Sequence, residues 1–151
     1  MRELDRHDPF HLQRFLDAQA PVYAQALEEL RAGEKRTHWC WFVLPQIQGL
    51  GRSEMAARYA ISSLDEARAY LAHPVLGPRL RETIDAINAH TGTPAERILG
   101  HVDALKFHSC VTLFAQAAEP DSPFHRALAA FFGGAPDRLT LDELARQAIA
   151  G

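Results

Sequence analysis

The feature that most constrains this chain is its punctuation: proline, glycine and short polar residues recur between apolar stretches in the order that starts and stops helices. Asp8 precedes Pro9, so a carboxylate cap with proline at the first helical position is expected to open a segment carrying Phe10, Leu12, Phe15, Leu16 and Gln19. Pro21 reopens or kinks it. The next segment sets Val22, Ala26, Leu27 and Leu30 on one helical face, with Gly33 where a left-handed C-cap would close it. Ser63-Leu64-Asp65-Glu66 reads as a capping box whose helix runs toward Leu71. His73-Pro74 breaks that helix, because the residue before proline disfavours helical angles, and a new run carries Leu76, Leu80, Ile84 and Ile87 toward Gly92. Thr93-Pro94-Ala95-Glu96 repeats the box, Ser122-Pro123 opens a helix through Phe132 with Gly133-Gly134 behind it, and Thr140-Leu141-Asp142-Glu143 opens the last.

Two segments need more than punctuation. Trp39 to Leu44 is a continuous apolar run, too short for periodicity to separate a buried strand from a buried helix; it is read as helix, capped by Thr37, with a small sheet as the alternative. From Leu105 to Ala118 the chain is apolar on most faces, with Leu105, Phe107, Cys110, Val111, Leu113 and Phe114, as a helix surrounded by others must be. Asp103 is expected to cap it. Alternating strand patterns, repeats and linkers are nearly absent, and 151 residues with 47% apolar content are enough for a folded core. The expectation is one all-α domain over residues 1–151 with a central apolar helix.

Sixteen lysines and arginines against nineteen acidic residues leave a net charge of −3, whereas domains dedicated to nucleic acid usually have a pI above about 9. No apolar run approaches the roughly 20 residues that span a bilayer. Cys40 and Cys110, far apart in sequence, provide no disulfide framework and suit a reducing compartment. These points predict a cytoplasmic protein, a monomer or small homo-oligomer, with no membrane partner and with a charge that argues against nucleic acid.

Residues His38 to Ser53 are the richest in chemistry. They hold both tryptophans and lie in a locally basic window, with Arg31, Lys35, Arg36, Arg52 and Arg58 against Glu34 and Glu54. The turn Gly49-Leu50-Gly51, running into a helix capped by Ser53, would point free N–H groups outward, an arrangement that attracts phosphate. The dinucleotide fingerprint is incomplete, since its third glycine would fall on Glu54, and no P-loop lysine follows. His38 and Gln46 sit beside aromatic residues and must find hydrogen bonds or be desolvated at about 1–3 kcal/mol each. Lys106 and Ser109 share a face of the central helix, where a desolvated lysine can serve as base or as fixed cation. The pairs His38/Cys40 and His108/Cys110 invite a zinc site, but helical residues two apart point about 200° from each other and cannot chelate together. No metal and no cofactor is expected, and the remaining histidines, His7, His11, His73, His90, His101 and His125, read as surface or helix-end residues.

Taken together, Phe10-x-Leu12-x-Arg14-Phe15, His38-Trp39-x-Trp41-Phe42-x-x-Pro45-Gln46, Gly49-Leu50-Gly51-x-Ser53, Tyr59-Ala60-Ile61, Ala67-x-x-Tyr70-Leu71, His73-Pro74-Val75-Leu76-Gly77 and Lys106-x-x-Ser109-x-x-Thr112-Leu113-Phe114 form a specific set. In these residues the sequence resembles the bacterial DUF1810 family, small proteins of unknown function, from Pro9 to about Gly134. The resemblance implies a mainly α-helical domain and no established activity. The family pattern more often has Met at Cys40 and Arg at His108, which removes both His-x-Cys pairs from consideration. The polar residues that match are His38, Gln46, Ser53, Tyr59, Lys106, Ser109 and Thr112. Members are sometimes labelled calpastatin, an inhibitor that is disordered, unlike a chain with this apolar content.

The function expected from these residues is binding of a small anionic or nucleotide-like ligand between the 38–53 segment and the 103–118 helix. Its candidate contacts are His38, Trp39, Trp41, Gln46, Gly49, Gly51, Arg52, Ser53, Tyr59, Lys106, Ser109 and Thr112, with Trp39 or Trp41 as a stacking wall. Two alternatives remain open. One is hydrolysis of a nucleotide or ADP-ribose-type bond, with Lys106 as electrostatic stabiliser and His38 as acid or base. The other is a non-enzymatic protein-interaction module. Residue types alone leave open whether any reaction is catalysed.

Overall fold

The computed structural model describes residues 7–150. Its helices among these residues are α1 (Gln13–Gln19), α2 (Tyr23–Arg31), α3 (Cys40–Val43), α4 (Glu54–Arg58), α5 (Leu64–Ala72), α6 (Leu76–Asn88), α7 (Ala95–Leu99), α8 (His101–Ala115), α9 (Pro123–Phe132) and α10 (Arg138–Ala150). The protein is all-α. Its one approach to sheet among the described residues is an isolated parallel bridge between Ile47 and Ile61, where Ile61 N–H donates to Gln46 O at 2.8 Å and Gln48 N–H to Ile61 O at 2.9 Å.

The centre is α8, as its apolar run predicts. Phe107, Cys110, Val111, Leu113 and Phe114 are all buried, and α5, α7, α9 and α10 pack around them. Phe15 and Phe114 flank Tyr70, with ring centroids at 5.1 and 5.4 Å, and Phe124 follows Phe114 at 5.6 Å. Fully burying each phenylalanine of such a stack contributes about 1.5–3 kcal/mol. Trp39 and Leu44 on either side of α3 are buried in the same core, so the 39–44 run is a helical turn packed inside the protein.

Several helix boundaries differ from the sequence expectation in an instructive way. Asp8 does cap, but across a turn: its carboxylate accepts from Leu12 N at 2.6 Å and Gln13 N at 2.9 Å, and α1 begins only after His11 has taken a left-handed φ of 55°. Pro9 is therefore not a first helical residue. Ser63 caps α5 by accepting from Glu66 N, while Glu66 reaches back one residue further than a capping box requires, to Ser62 N at 2.9 Å. Thr93 does not cap α7, because its amide closes a turn on His90 O and Pro94 takes the cap position. Thr140 lies inside α10; Asp137 caps it, accepting from Thr140 N at 3.1 Å. Thr37 does not cap α3, its hydroxyl donating instead to Glu29 at 2.6 Å. Asp103 does not cap α8, which starts after Gly100, and sits within the first turn as an ion-pair acceptor. Ser122 and the glycines Gly33 and Gly133 behave as expected, the glycines at φ of 78° and 60°.

Candidate ligand-binding site

Between α3 and α4 the chain crosses the face of α8. Pro45 ends the α3 turn, the Ile47–Ile61 bridge pins the strand-like stretch after it, and Gly51 passes so near Ala56 that an added Cβ would lie 2.6 Å from the alanine methyl. Ser53 then caps α4, accepting from Ala56 N at 3.0 Å. This path leaves a cavity of about 450 Å³ between the segment, α8 and the start of α10. Trp41, Gln46, Gly51, Arg52 and Ser53 line one side, Lys106 and Ser109 the other, and Asp137 the end.

Two lysine–tryptophan pairs meet at one carboxylate beside this cavity. Lys35 Nζ lies 4.8 Å from the Trp39 ring centroid, 2.8 Å from Asp103 Oδ2 and 2.5 Å from Thr37 O. Lys106 Nζ lies 4.3 Å from the Trp41 ring centroid and 3.4 Å from Asp103 Oδ1. The Lys35 distance is ordinary for a charge-assisted hydrogen bond of about 2.7–2.9 Å, whereas the Lys106 contact is beyond it. A ring face and a distant carboxylate leave the Lys106 ammonium with N–H donors for the cavity. Trp39 is held from below by Glu29, which accepts its indole N–H at 3.1 Å, Arg36 N at 2.7 Å, Thr37 N at 3.0 Å, Thr37 Oγ1 at 2.6 Å and Gln25 Nε2 at 3.0 Å. Burial alone would raise the pKa of Glu29, but these hydrogen bonds outweigh it and hold the carboxyl at about 2.

The structure gathers Trp41, Gln46, Gly51, Arg52, Ser53, Lys106 and Ser109 at this cavity. Gly49 and Tyr59 line a second cavity of about 560 Å³ on the other side of the segment, which shares Trp41, Gln46 and Gly51 with the first. Trp39 is fully buried and its ring faces the core, so of the two tryptophans it is Trp41 that offers a wall. Thr112 is buried, donating to His108 O and accepting from Asp137 N, both at 2.8 Å. His38 is exposed and lines neither cavity. The Ser109 hydroxyl lies 3.1 Å from Asp137 Oδ2 and 3.2 Å from Leu105 O, tying α10 to α8.

Sequence reasoning missed the acidic partners. Glu29 and Asp137 carry no motif that singles them out, and Glu66, identified only as a capping residue, also binds Arg14 at 2.9 Å. Arg14 extends this scaffold, donating to Phe10 O, His11 O, Arg58 O and Ala60 O, and so fixes the floor of the second cavity. Both cysteines are free and buried, and burial pushes each thiol well up. Among the described residues no three His, Cys, Asp or Glu side chains are grouped to hold a metal ion, and no helix is long and apolar enough to cross a membrane.

Fold and cavity together define a small all-helical protein whose central helix faces a cationic, tryptophan-walled cleft. The sequence matches the family described as "protein of unknown function (DUF1810)" over residues 9–144, and the chain belongs to that family. A crystal structure of a conserved hypothetical protein from Mycobacterium tuberculosis is 54% identical, covers 91% of this chain and 99% of its own, and superposes with a TM-score of 0.89. No functionally curated protein matches the sequence.

Proposed function

We propose that the protein binds a small anionic or nucleotide-like molecule in the cavity between the 38–53 segment and the 103–118 helix. The observation that carries this reading is Lys106: a lysine mostly withdrawn from solvent, stacked on Trp41, with its nearest carboxylate at 3.4 Å and already engaged more closely by Lys35. Arg52 adds a second positive charge to the lining, while the Asp137 carboxylate is occupied by Ser109 and Thr140. A phosphate or carboxylate entering here would complete the ammonium's hydrogen bonds, an interaction stronger than a neutral one. The hydrolytic alternative has less support, because His38 lies outside the cavity lining and the Ser109 hydroxyl is engaged by Asp137 and Leu105. A cytoplasmic, single-domain protein over residues 1–151, with free thiols, fits the same proposal.

Thermal shift with inorganic phosphate and adenosine monophosphate tests it. A ligand at 100 times its Kd adds about 2.7 kcal/mol, a rise of about 5–10 °C for a chain of this size. The rise is expected in the wild type and absent in Lys106→Met. An equal rise in both proteins would remove Lys106 from the site.

A further inference from the structure

Among the described residues the large apolar side chains left exposed are Val75, Val102, Leu105, Leu139 and Ile149. Three of these five, Val102 at 62% exposure, Leu105 at 58% and Leu139 at 64%, stand on the rim of the Lys106 cavity. Scattered singly, exposed apolar residues need no explanation, but three converging from two helices on one concave site do. Leu50 continues the apolar wall from the glycine turn opposite. The cavity is thus polarised, with Lys106 and Arg52 supplying positive charge and a wet aliphatic edge around it.

From this polarity we infer that the ligand is amphiphilic: a single carboxylate or phosphate monoester joined to an apolar or aromatic body. The inference rests on the anion-binding reading of the same cavity and narrows it. The anionic group meets Lys106, and the body covers Leu105, Val102 and Leu139, removing from water surface that the free protein leaves exposed. A bare anion satisfies only the charged end. Leu105 is therefore a specificity-determining residue, immediately before the lysine on α8 and exposed enough to be replaced without opening the core.

Calorimetric titration with inorganic phosphate and phenyl phosphate separates the two readings. Phenyl phosphate is expected to bind about tenfold or more tightly than inorganic phosphate, and Leu105→Gln to reduce that preference to about twofold without changing the affinity for inorganic phosphate. Lys106→Met is expected to lose both ligands. Equal affinities in the wild type would overturn the amphiphile while leaving anion binding intact. Binding of neither ligand would overturn both. The apolar rim has one competing occupant, a second copy of the chain: a wild-type protein that sediments as a dimer at micromolar concentration, and a Leu105→Gln variant that sediments as a monomer, would also overturn the inference.

Discussion

The two lysine–tryptophan pairs share an aspartate, yet one is finished and the other is open. Around Trp39 and Lys35 every strong group has a partner: the indole N–H has Glu29, the ammonium has Asp103 at 2.8 Å and Thr37 O, and the lysine side chain is only 5% exposed. Around Trp41 and Lys106 the same residue types stop short, with a 3.4 Å ion pair and a ring that walls a cavity. A cation–π contact thus does not distinguish structure from site. What does is whether the protein itself has used the donors: the Lys35 ammonium is closed off by the fold, whereas the Lys106 side chain, 18% exposed, still reaches the cavity, where a ligand can take the place of water.

If the first pair is structural, removing its foundation should produce the largest effect. Glu29→Ala deletes the acceptor of five donors, including the buried Trp39 indole N–H. A loss of about 3–5 kcal/mol is expected from stranding that many groups, read as the shift in a urea unfolding curve. A loss below about 1 kcal/mol would break the contrast, because the finished pair would then be no more essential than the open one.

Acid offers a gentler version of the same test. Glu29 has its folded pKa depressed, from an ordinary 4.5 to about 2, so its stabilisation is fully present above pH 4.5 and is lost as pH falls toward 2. The depression corresponds to about 3 kcal/mol. Wild type is expected to lose stability across this window more steeply than Glu29→Gln, whose side chain cannot titrate. Parallel curves for the two proteins would mean that Glu29 is not the group that titrates. No matching window attaches to Cys40 or Cys110, since burial raises both thiols; Ellman's reagent should leave them unreacted until the protein unfolds.

How much of this was legible in advance follows from the range of the forces involved. Helix existence is local, so Gly33, Ser63, Ser122 and the apolar period of α6 could be read directly. Cap readings failed where a longer loop intervened: Asp8 caps as read but across a turn that leaves Pro9 outside the helix, and Asp137 takes the place expected of Thr140. The site was legible as residue types but not as sides: Trp39 and Trp41 are two apart, so a single helical turn sends one to the core and one to the cavity, and the sequence contains nothing that says which. His38 looked like a site residue because it adjoins Trp39, and it is solvent-exposed. Glu29 was not legible at all, because its five donors come from four residues, three of them in the loop that follows and at the start of α3.

The smallest effects come from the lysines themselves, and their difference is the sharpest test. Lys35→Met leaves Asp103, whose side chain is only 17% exposed, with the distant Lys106 as its ion-pair partner among the described residues, and a loss of about 1–3 kcal/mol is expected for a part-buried charge so weakened. Lys106→Met leaves Asp103 its close partner and relieves the ammonium of an incomplete environment, so stability should change by less than about 1 kcal/mol in either direction. Methionine is near enough to lysine in length to keep the contact with the Trp41 ring, so packing is held constant across the comparison. The anion-dependent thermal shift should divide the opposite way, surviving in Lys35→Met and vanishing in Lys106→Met. Two lysines separated by one aspartate would then do different work, one holding α8 to the 35–39 loop and the other waiting on a ligand.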